Sequence, residues 1–218
     1  MNTQVHILGA GGHAAVLIAT LEAKGFTVAA IYDDNPDLLN TTIMNVPVRG
    51  KVCDLPRDFS GPAAVGIGDN ITRHTIVNMF PDCQWVSAVH PSAVVDPSAT
   101  IGIGTVVFAG VVVQPRSVIG NHVILNTGCS VDHDCVVGDF CHLAPGVRLA
   151  GIVTVEEGVF MGIASSTIPQ TKVGAWSTVG AGGVVIRDLP PRVTAVGVPV
   201  RIIKRHPDWS DNTSLINS

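Results

Sequence analysis

The chain has 218 residues, of which 46% are hydrophobic and 14% charged, so one large or two modest domains with a sizeable core can form. Its formal net charge is −4 with no dense basic run, which argues against nucleic acid as a partner. No apolar stretch approaches a membrane span and no signal-like segment opens the sequence, so we expect a cytoplasmic protein.

The first 88 residues follow the pattern of strands that alternate with helices. We predict strands over residues 5–8, 28–32, 63–67 and 85–89, and helices over residues 14–24 and about 73–79. This alternation favours a small open parallel sheet of Rossmann-like type. We therefore assign residues 1–88 to an α/β domain.

A glycine-rich loop joins the first predicted strand to the first predicted helix. It contains Gly11, Gly12 and His13, and glycines at a helix start let a phosphate approach the free N–H groups. The last glycine of a full dinucleotide fingerprint is absent. Asp33 and Asp34 end the second strand, where doubly wound folds usually bind a ribose or a base. Loop and acidic pair together predict a site for a nucleotide with phosphates; a packing turn and a solvated turn are the alternatives.

From Val89 to Val185 an aliphatic residue returns at every sixth position, and only Thr167 breaks this rule. Neither the helix period of 3.6 nor the strand period of 2 produces this register. Hexapeptide repeats build a parallel β-helix, in which three short strands make a coil of eighteen residues. We predict between five and six coils over residues 89–189, with corners one to three places after each aliphatic residue, and a turn and tail over residues 190–218.

Three of the five cysteines, Cys129, Cys135 and Cys141, lie six residues apart at the position four places after an aliphatic residue. Their spacing alone allows a metal site. Small residues occupy the equivalent position elsewhere in the repeat, so we predict that these cysteines fill the interior of the β-helix. Disulfides are not expected in the cytoplasm.

The segment Asp132-His133-Asp134 is the clearest candidate for chemistry. His133 lies at a predicted corner, where a structure rarely needs a histidine, and the flanking carboxylates would stabilise its imidazolium and orient its ring. These properties suit a general base. Gly151 follows eighteen residues later, one coil above His133, and leaves room for a ligand beside an exposed backbone N–H.

Two further histidines, His142 and His122, lie in the repeat region. His142 lies on a predicted strand and faces outward, where it could donate a hydrogen bond to a carbonyl oxygen or be a surface residue. His122 lies at a corner without carboxylate neighbours, and we predict an ordinary surface residue.

Taken together, the hexapeptide repeats and the N-terminal glycine loop resemble the sugar O-acyltransferase family of left-handed β-helix enzymes. Within that family the sequence is most similar to N-acetyltransferases of nucleotide-linked 4-amino-4,6-dideoxy sugars, of the bacillosamine and perosamine type. The segments that carry the resemblance are Gly11-Gly12-His13, Asp33-Asp34, Ile67-Gly68-Asp69-Asn70, Leu125-Asn126-Thr127, Asp132-His133-Asp134, Gly138-Asp139-Phe140-Cys141-His142, Ala150-Gly151 and Gly197-Val198-Pro199.

The resemblance implies a homotrimer with active sites between neighbouring prisms, and direct transfer from acetyl-CoA to a sugar amine without a metal. It implies that His133 is the base and that Asp134, a glutamate in bacillosamine-type enzymes, tunes it. It assigns the following residues to acetyl-CoA: His142, Gly151, Ile163, Gly180 and Ala181. It assigns a second set to the UDP-, GDP- or dTDP-linked sugar: Gly11, Gly12, His13, Asp33, Asp34 and Gly68.

Three other functions stay open at this point. The same base could serve an O-acetyltransferase, for example one acting on sialic acid. A carbonic anhydrase on the same prism would need His122, His133 and His142 to converge on zinc. A non-catalytic nucleotide-sugar-binding scaffold is the third, and release of thiol from acetyl-CoA would distinguish it.

Overall fold

The computed structural model describes residues 3–207, in which a six-stranded α/β sheet packs against a parallel β-helix of two-residue strands. This arrangement confirms the predicted mixed fold, with a left-handed β-helix after an α/β unit. Within these residues, neither helix has the length and hydropathy needed to cross a membrane.

The N-terminal sheet has the order β3-β4-β2-β1-β5-β6 and is parallel apart from the antiparallel pair β3–β4. Two short 3₁₀ helices, Pro36–Leu38 and Val52–Asp54, lie among its connections. Its strands and helices are β1 (Gln4–Leu8), α1 (Gly12–Ala23), β2 (Thr27–Tyr32), β3 (Thr42–Ile43), β4 (Val46–Gly50), β5 (Pro62–Val65), α2 (Asn70–Met79) and β6 (Gln84–Trp85).

The predicted strands and helices of this unit are confirmed within a few residues at their ends, except that residues 85–89 form parts of two strands. The hairpin of β3 and β4 was not predicted from the sequence. Its turn is made by Met44 and Asn45, both with positive φ (47° and 67°). Two-residue hairpin turns of this kind usually carry a glycine, so Met-Asn gives little signal.

Seventeen strands of two residues form the three faces of the β-helix, and they are numbered β7 to β23 in chain order. The first face holds β7 (Ala88–Val89), β10 (Val106–Val107), β13 (Ile124–Leu125), β16 (His142–Leu143), β19 (Phe160–Met161) and β22 (Thr178–Val179). The second holds β8 (Val94–Val95), β11 (Val112–Val113), β14 (Ser130–Val131), β17 (Arg148–Leu149), β20 (Ser166–Thr167) and β23 (Val184–Val185). The third holds β9 (Thr100–Ile101), β12 (Val118–Ile119), β15 (Val136–Val137), β18 (Thr154–Val155) and β21 (Lys172–Val173).

The second residue of every one of these strands is the residue that the six-residue period predicts, so the register is confirmed. Strands eighteen residues apart pair in parallel, as Val107 pairs with Leu125. From the second coil onward these side chains point inward and are buried, and the predicted small residues fill the space between them. Cys129, Cys135 and Cys141 are fully buried, and burial raises the pKa of the Cys129 and Cys141 thiols to about 12.

The corners lie where they were predicted, with turn residues two and three places after the aliphatic residue. The third place adopts a left-handed backbone, for example at Asp134 with φ 57°. Glycine at the first place serves close packing of the coils: a Cβ on Gly102 would lie 2.4 Å from the carbonyl carbon of Gly120. The corners that follow the strands of the first face form the first edge of the prism. The second and third edges follow the second and third faces in the same way.

The sheet of the first face continues beyond Pro190-Pro191, where the sequence analysis placed the end of the prism. Strand β24 (Val193–Val196) pairs in parallel with β22, and β25 (Arg201–Arg205) returns antiparallel to it after a turn at Gly197-Val198-Pro199. The division at residues 1–88, 89–189 and 190–218 stays a prediction, and the part of the predicted tail beyond residue 207 lies outside the described residues.

Helix α2 is held against the third edge by a buried arginine. Arg73 is 2% exposed and donates from Nε to the carbonyl of His122 (2.9 Å) and from Nη2 to the carbonyl of Phe140 (2.7 Å) and to Oδ1 of Asn70 (2.8 Å). The His122 ring stacks on Phe140 with a centroid separation of 5.2 Å and is 6% exposed. The prediction that His122 is a surface residue was therefore wrong, because α2 covers its corner.

Candidate active site

His133 and Gly151 face each other on the second edge, one coil apart. A Cβ on Gly151 would lie 2.6 Å from Nε2 of His133, so glycine is needed there for this ring position. Nδ1 of His133 lies 2.7 Å from Oδ2 of Asp134. The predicted stacking of these residues is confirmed in the described structure.

The hydrogen bond to Asp134 decides which nitrogen of His133 can accept a proton. Hydrogen bonds from Arg116 and then from His133 lower the pKa of Asp134 far below its usual value, so its carboxylate is ionised and can only accept. Nδ1 of His133 therefore carries the hydrogen, and Nε2 of the neutral ring is the basic atom directed toward Gly151. This is the arrangement of a general base.

The two carboxylates that flank His133 have different partners. Oδ1 of Asp132 accepts the backbone N–H of His133 at 2.7 Å, which fixes the corner, whereas Asp134 holds the ring. Both carboxylates were predicted to act on the imidazole, but only that of Asp134 contacts the ring.

The glycine loop leads into the N-terminus of α1, which has no side-chain cap and no acidic residue in its first turn. Added Cβ atoms on Gly11 and Gly12 would meet nothing within 4 Å, so the helix start is open. The His13 ring packs against Phe108, which directly follows β10 of the first face, with a centroid distance of 5.2 Å. Its Nε2 is buried without a hydrogen-bond partner, and burial lowers the pKa of His13 to about 3.

Asp33 and Asp34 lie beside this loop and bind backbone N–H groups. Oδ2 of Asp33 accepts from Ala10 at 2.6 Å, and Oδ1 accepts from Asn35 at 2.8 Å. Oδ1 of Asp34 accepts from Val52 at 2.9 Å. Both carboxylates thus shape the loops around the open end of α1, and their contact with a ligand stays a prediction.

His142 lies where the first face meets the N-terminal unit. Its Nδ1 is 3.0 Å from the carbonyl of Gly68, to which it can only donate, so Nε2 accepts from Nδ2 of Asn126 at 3.1 Å. The ring is 8% exposed, and burial lowers its pKa to about 4. Its centroid lies 5.9 Å from that of His13. The structure thus groups His142 with Gly68 and His13, away from Gly151.

The remaining predicted acetyl-CoA residues lie on the first edge, in the two coils above His142. Ile163 is 53% exposed, and its carbonyl accepts the N–H of Gly182. Ala181 is exposed one coil above Ile163, next to the half-buried Gly180. These residues form a continuous strip along the first edge.

The predicted site residues thus form three groups on one chain. The base group occupies the second edge, which is the corner opposite the first face of the triangular prism. The glycine loop, Gly68 and His142 lie against the first face, and the strip with Ile163 lies on the first edge. Within the described residues of one chain, His133 and the glycine loop therefore lie on different sides of the prism.

Arg116, which was not predicted as a site residue, contacts both oxygens of Asp134. It precedes Asp134 by eighteen residues, so the register that placed Gly151 above His133 also places Arg116 below Asp134. Arg73 gave no such signal, because its partners lie in a different unit. Within residues 3–207, no group of three or more His, Cys, Asp or Glu side chains is arranged to bind a metal ion.

Two family models match the chain. One, described as the PglD N-terminal domain, covers residues 4–80, and the other, described as bacterial transferase hexapeptide (six repeats), covers residues 116–151.

Solved structures match nearly the whole chain. It is similar, at 45% identity and a TM-score of 0.86, to a mutant of perosamine N-acetyltransferase from Caulobacter crescentus in complex with CoA and GDP-perosamine; the match covers 94% of this chain and 97% of that one. It is also similar to the acetyltransferase domain of PglB from Neisseria gonorrhoeae in complex with acetyl coenzyme A, at 33% identity and a TM-score of 0.87, over 93% of this chain and 100% of that one.

Among curated proteins, the chain is 31% identical to GDP-perosamine N-acetyltransferase from Escherichia coli over 128 residues, which are 56% of this chain and 58% of that protein. The chain spans little more than half the length of the curated relatives it matches in this way.

Proposed function

Because the chain belongs to the left-handed β-helix, hexapeptide-repeat family of sugar acyltransferases, we propose that it transfers the acetyl group of acetyl-CoA to the amine of a nucleotide-linked 4-amino-4,6-dideoxy sugar. The similar structure with CoA and GDP-perosamine supports both substrates and favours GDP as the nucleotide. The product would serve surface-glycan biosynthesis, and the proposal implies a cytoplasmic protein.

One observation carries the proposal: Nε2 of His133 faces Gly151 while Asp134 holds Nδ1. The sugar nitrogen attacks the thioester carbonyl carbon and forms the C–N bond. Nε2 of His133 takes the proton that this nitrogen loses, the C–S bond breaks, and the thiolate of CoA takes up the proton. The backbone at Gly151 lies beside the reacting carbonyl, and Asp134 stabilises the imidazolium.

No covalent acetyl-enzyme is needed. Cys135, the cysteine that follows His133 most closely, is fully buried, and burial raises the pKa of its thiol. Binding both substrates beside one base supplies the proximity that a direct transfer requires.

The nucleotide sugar would bind at the open start of α1, where helix N–H groups favour phosphate. Gly11, Gly12 and His13 line this end, and Gly68 lies beside it. Asp33 and Asp34 would contact the ribose or base. The pantetheine arm of acetyl-CoA would follow the strip on the first edge, along Ile163, Gly180 and Ala181, and a contact of His142 with the acetyl group would replace one of the hydrogen bonds it now makes.

A homotrimer would bring these groups together. The base and the glycine loop lie on opposite sides of the same prism, so a second chain must supply one of them. The second and third faces present apolar side chains to a neighbour, since Val94 is 64%, Val118 47% and Val136 45% exposed. Three chains around one axis would give three equivalent sites.

A substrate panel tests this proposal. The full-length protein is incubated with acetyl-CoA and GDP-, dTDP- or UDP-linked 4-amino-4,6-dideoxy sugars, and release of CoA thiol is followed. We expect turnover with GDP-perosamine and a product resistant to hydroxylamine, because the new bond is an amide. A hydroxylamine-sensitive product would indicate O-acetylation instead, and no thiol release with any sugar would contradict the proposal.

A further inference from the structure

Arg116 makes a two-pronged contact with the carboxylate that holds the proposed base. Its Nε lies 2.6 Å from Oδ1 of Asp134, and its Nη2 lies 2.7 Å from Oδ2. Oδ2 also accepts the hydrogen bond from Nδ1 of His133 at 2.7 Å. Such a bidentate contact fixes the plane of the carboxylate as well as its position.

The backbone of Arg116 is itself anchored to the coil below. Its N–H donates to Oγ of Ser98 at 3.0 Å, and that hydroxyl donates to Oδ1 of Asp96 at 2.6 Å. A column of contacts therefore rises along the second edge from Asp96 through Ser98, Arg116 and Asp134 to the His133 ring. Each member contacts the next directly.

Arg116 shares its backbone conformation with Asp134, Ile152 and Gln170 at the matching positions of the second edge. It has φ 59°, in the left-handed region that disfavours side chains. The matching positions on the first edge, three places after the aliphatic residue, are often glycine, as at Gly110, Gly128 and Gly146. Glycine would suit the backbone at Arg116 better, but it would remove both contacts with Asp134.

We propose that Arg116 is a positioning residue of the acetyl transfer: it locks the Asp134 carboxylate in the plane that receives Nδ1–H of His133. The proposal rests on the proposed function. Asp134 is itself at an exposed corner with a left-handed backbone, and without Arg116 its carboxylate can rotate away. The His133 ring would then lose the bond that keeps the proton on Nδ1 and Nε2 free.

The replacement Arg116→Gly tests this proposal, because glycine keeps the corner conformation. We expect kcat to fall by about 10- to 100-fold, a part of the 10²–10⁴ that general-base catalysis contributes, while KM for acetyl-CoA stays within about twofold. Millimolar guanidinium chloride should restore part of the lost rate, and Arg116→Lys should stay slow because an ammonium cannot bind both oxygens.

Arg192→Gly is the matched control, since Arg192 has the same left-handed backbone (φ 58°) on the third edge, and this variant should keep the wild-type rate. When Asp134→Asn is already present, adding Arg116→Gly should lower kcat little further, because Arg116 acts through Asp134. An equal loss in both backgrounds, a loss insensitive to guanidinium, or an unchanged rate would overturn the proposal.

A readout that needs no turnover separates this proposal from the proposed function. The ¹⁵N chemical shifts of His133 report which ring nitrogen carries the hydrogen. We expect the Nδ1–H form in the wild-type protein and a mixture of both forms in Arg116→Gly. If the wild type transfers no acetyl group but this change in the ring is seen, the substrate assignment fails and the role of Arg116 stands; identical shifts in the two proteins would refute that role.

Discussion

Nε2 of His133 occupies the space where a side chain on Gly151 would begin: a Cβ added to Gly151 would lie 2.6 Å from this nitrogen. Gly151 is not among the residues with positive φ, so alanine fits its backbone and the conflict is with the ring alone. A substitution at Gly151 can therefore displace the His133 ring without disturbing the fold.

Gly151→Ala should therefore remove most of the activity while the protein stays folded. The added methyl must push the His133 ring aside, and we expect kcat to fall by at least about 100-fold, in the range that loss of a general base produces. The measurement is the initial rate of thiol release, with the unfolding temperature as the control for folding. A rate within twofold of wild type would show that the ring position is unimportant.

Asp134→Asn should lower kcat far more than Asp132→Asn does. An amide at position 134 can donate to Nδ1 of His133, which favours the wrong tautomer and places the hydrogen on Nε2; in the Ser-His-Asp triad the same change lowers kcat by about 10⁴. Asn at position 132 still offers an oxygen to the backbone N–H of His133 and should have little effect. Comparable rates for the two variants would contradict the assigned roles.

Arg73→Leu should destabilise the protein strongly. The change leaves the buried carbonyls of His122 and Phe140 without the bonds that Arg73 donates, at about 1–3 kcal/mol for each lost partner. Unfolding by urea measures the loss. The matched control is Lys172→Met, which breaks an exposed ion pair with Glu156 and should cost only about 0–1 kcal/mol. Similar losses would mean that Arg73 does not hold the two units together.

Stability should fall as the pH drops below about 6.5. Burial lowers the pKa of His13 to about 3 and those of His122 and His142 to about 4, against 6.5 for unperturbed histidine. Between pH 4 and 6.5 the unfolded chain therefore binds more protons than the folded one, so the free energy of unfolding falls with falling pH, by at most about 1.4 kcal/mol per pH unit for each histidine.

Urea unfolding at pH 7.5, 6.0 and 5.0 measures this dependence. His122→Phe keeps the aromatic stack with Phe140 and should reduce the slope by about one proton. A free energy of unfolding that does not change over this range would show that the three histidines are not buried as neutral rings.

The parts of the fold that the sequence predicted are those that local patterns encode, both in the N-terminal unit and in the repeats. The six-residue period fixes which side chains enter the β-helix, and the eighteen-residue coil places Gly151 over His133. The burial of His122 and the position of His142 depend instead on how α2 and Gly68 pack on the prism, and no periodicity encodes that contact. The same eighteen-residue register also predicts that Arg116 lies below Asp134.

The decisive measurement for the assignment of His133 as the general base is the rate of acetyl transfer to GDP-perosamine by His133→Ala. The variant should bind acetyl-CoA as the wild type does and keep its oligomeric state, while kcat falls by about 10²–10⁴ because no group accepts the proton of the attacking amine. A kcat equal to that of the wild type would contradict the account, since another group would then be the base.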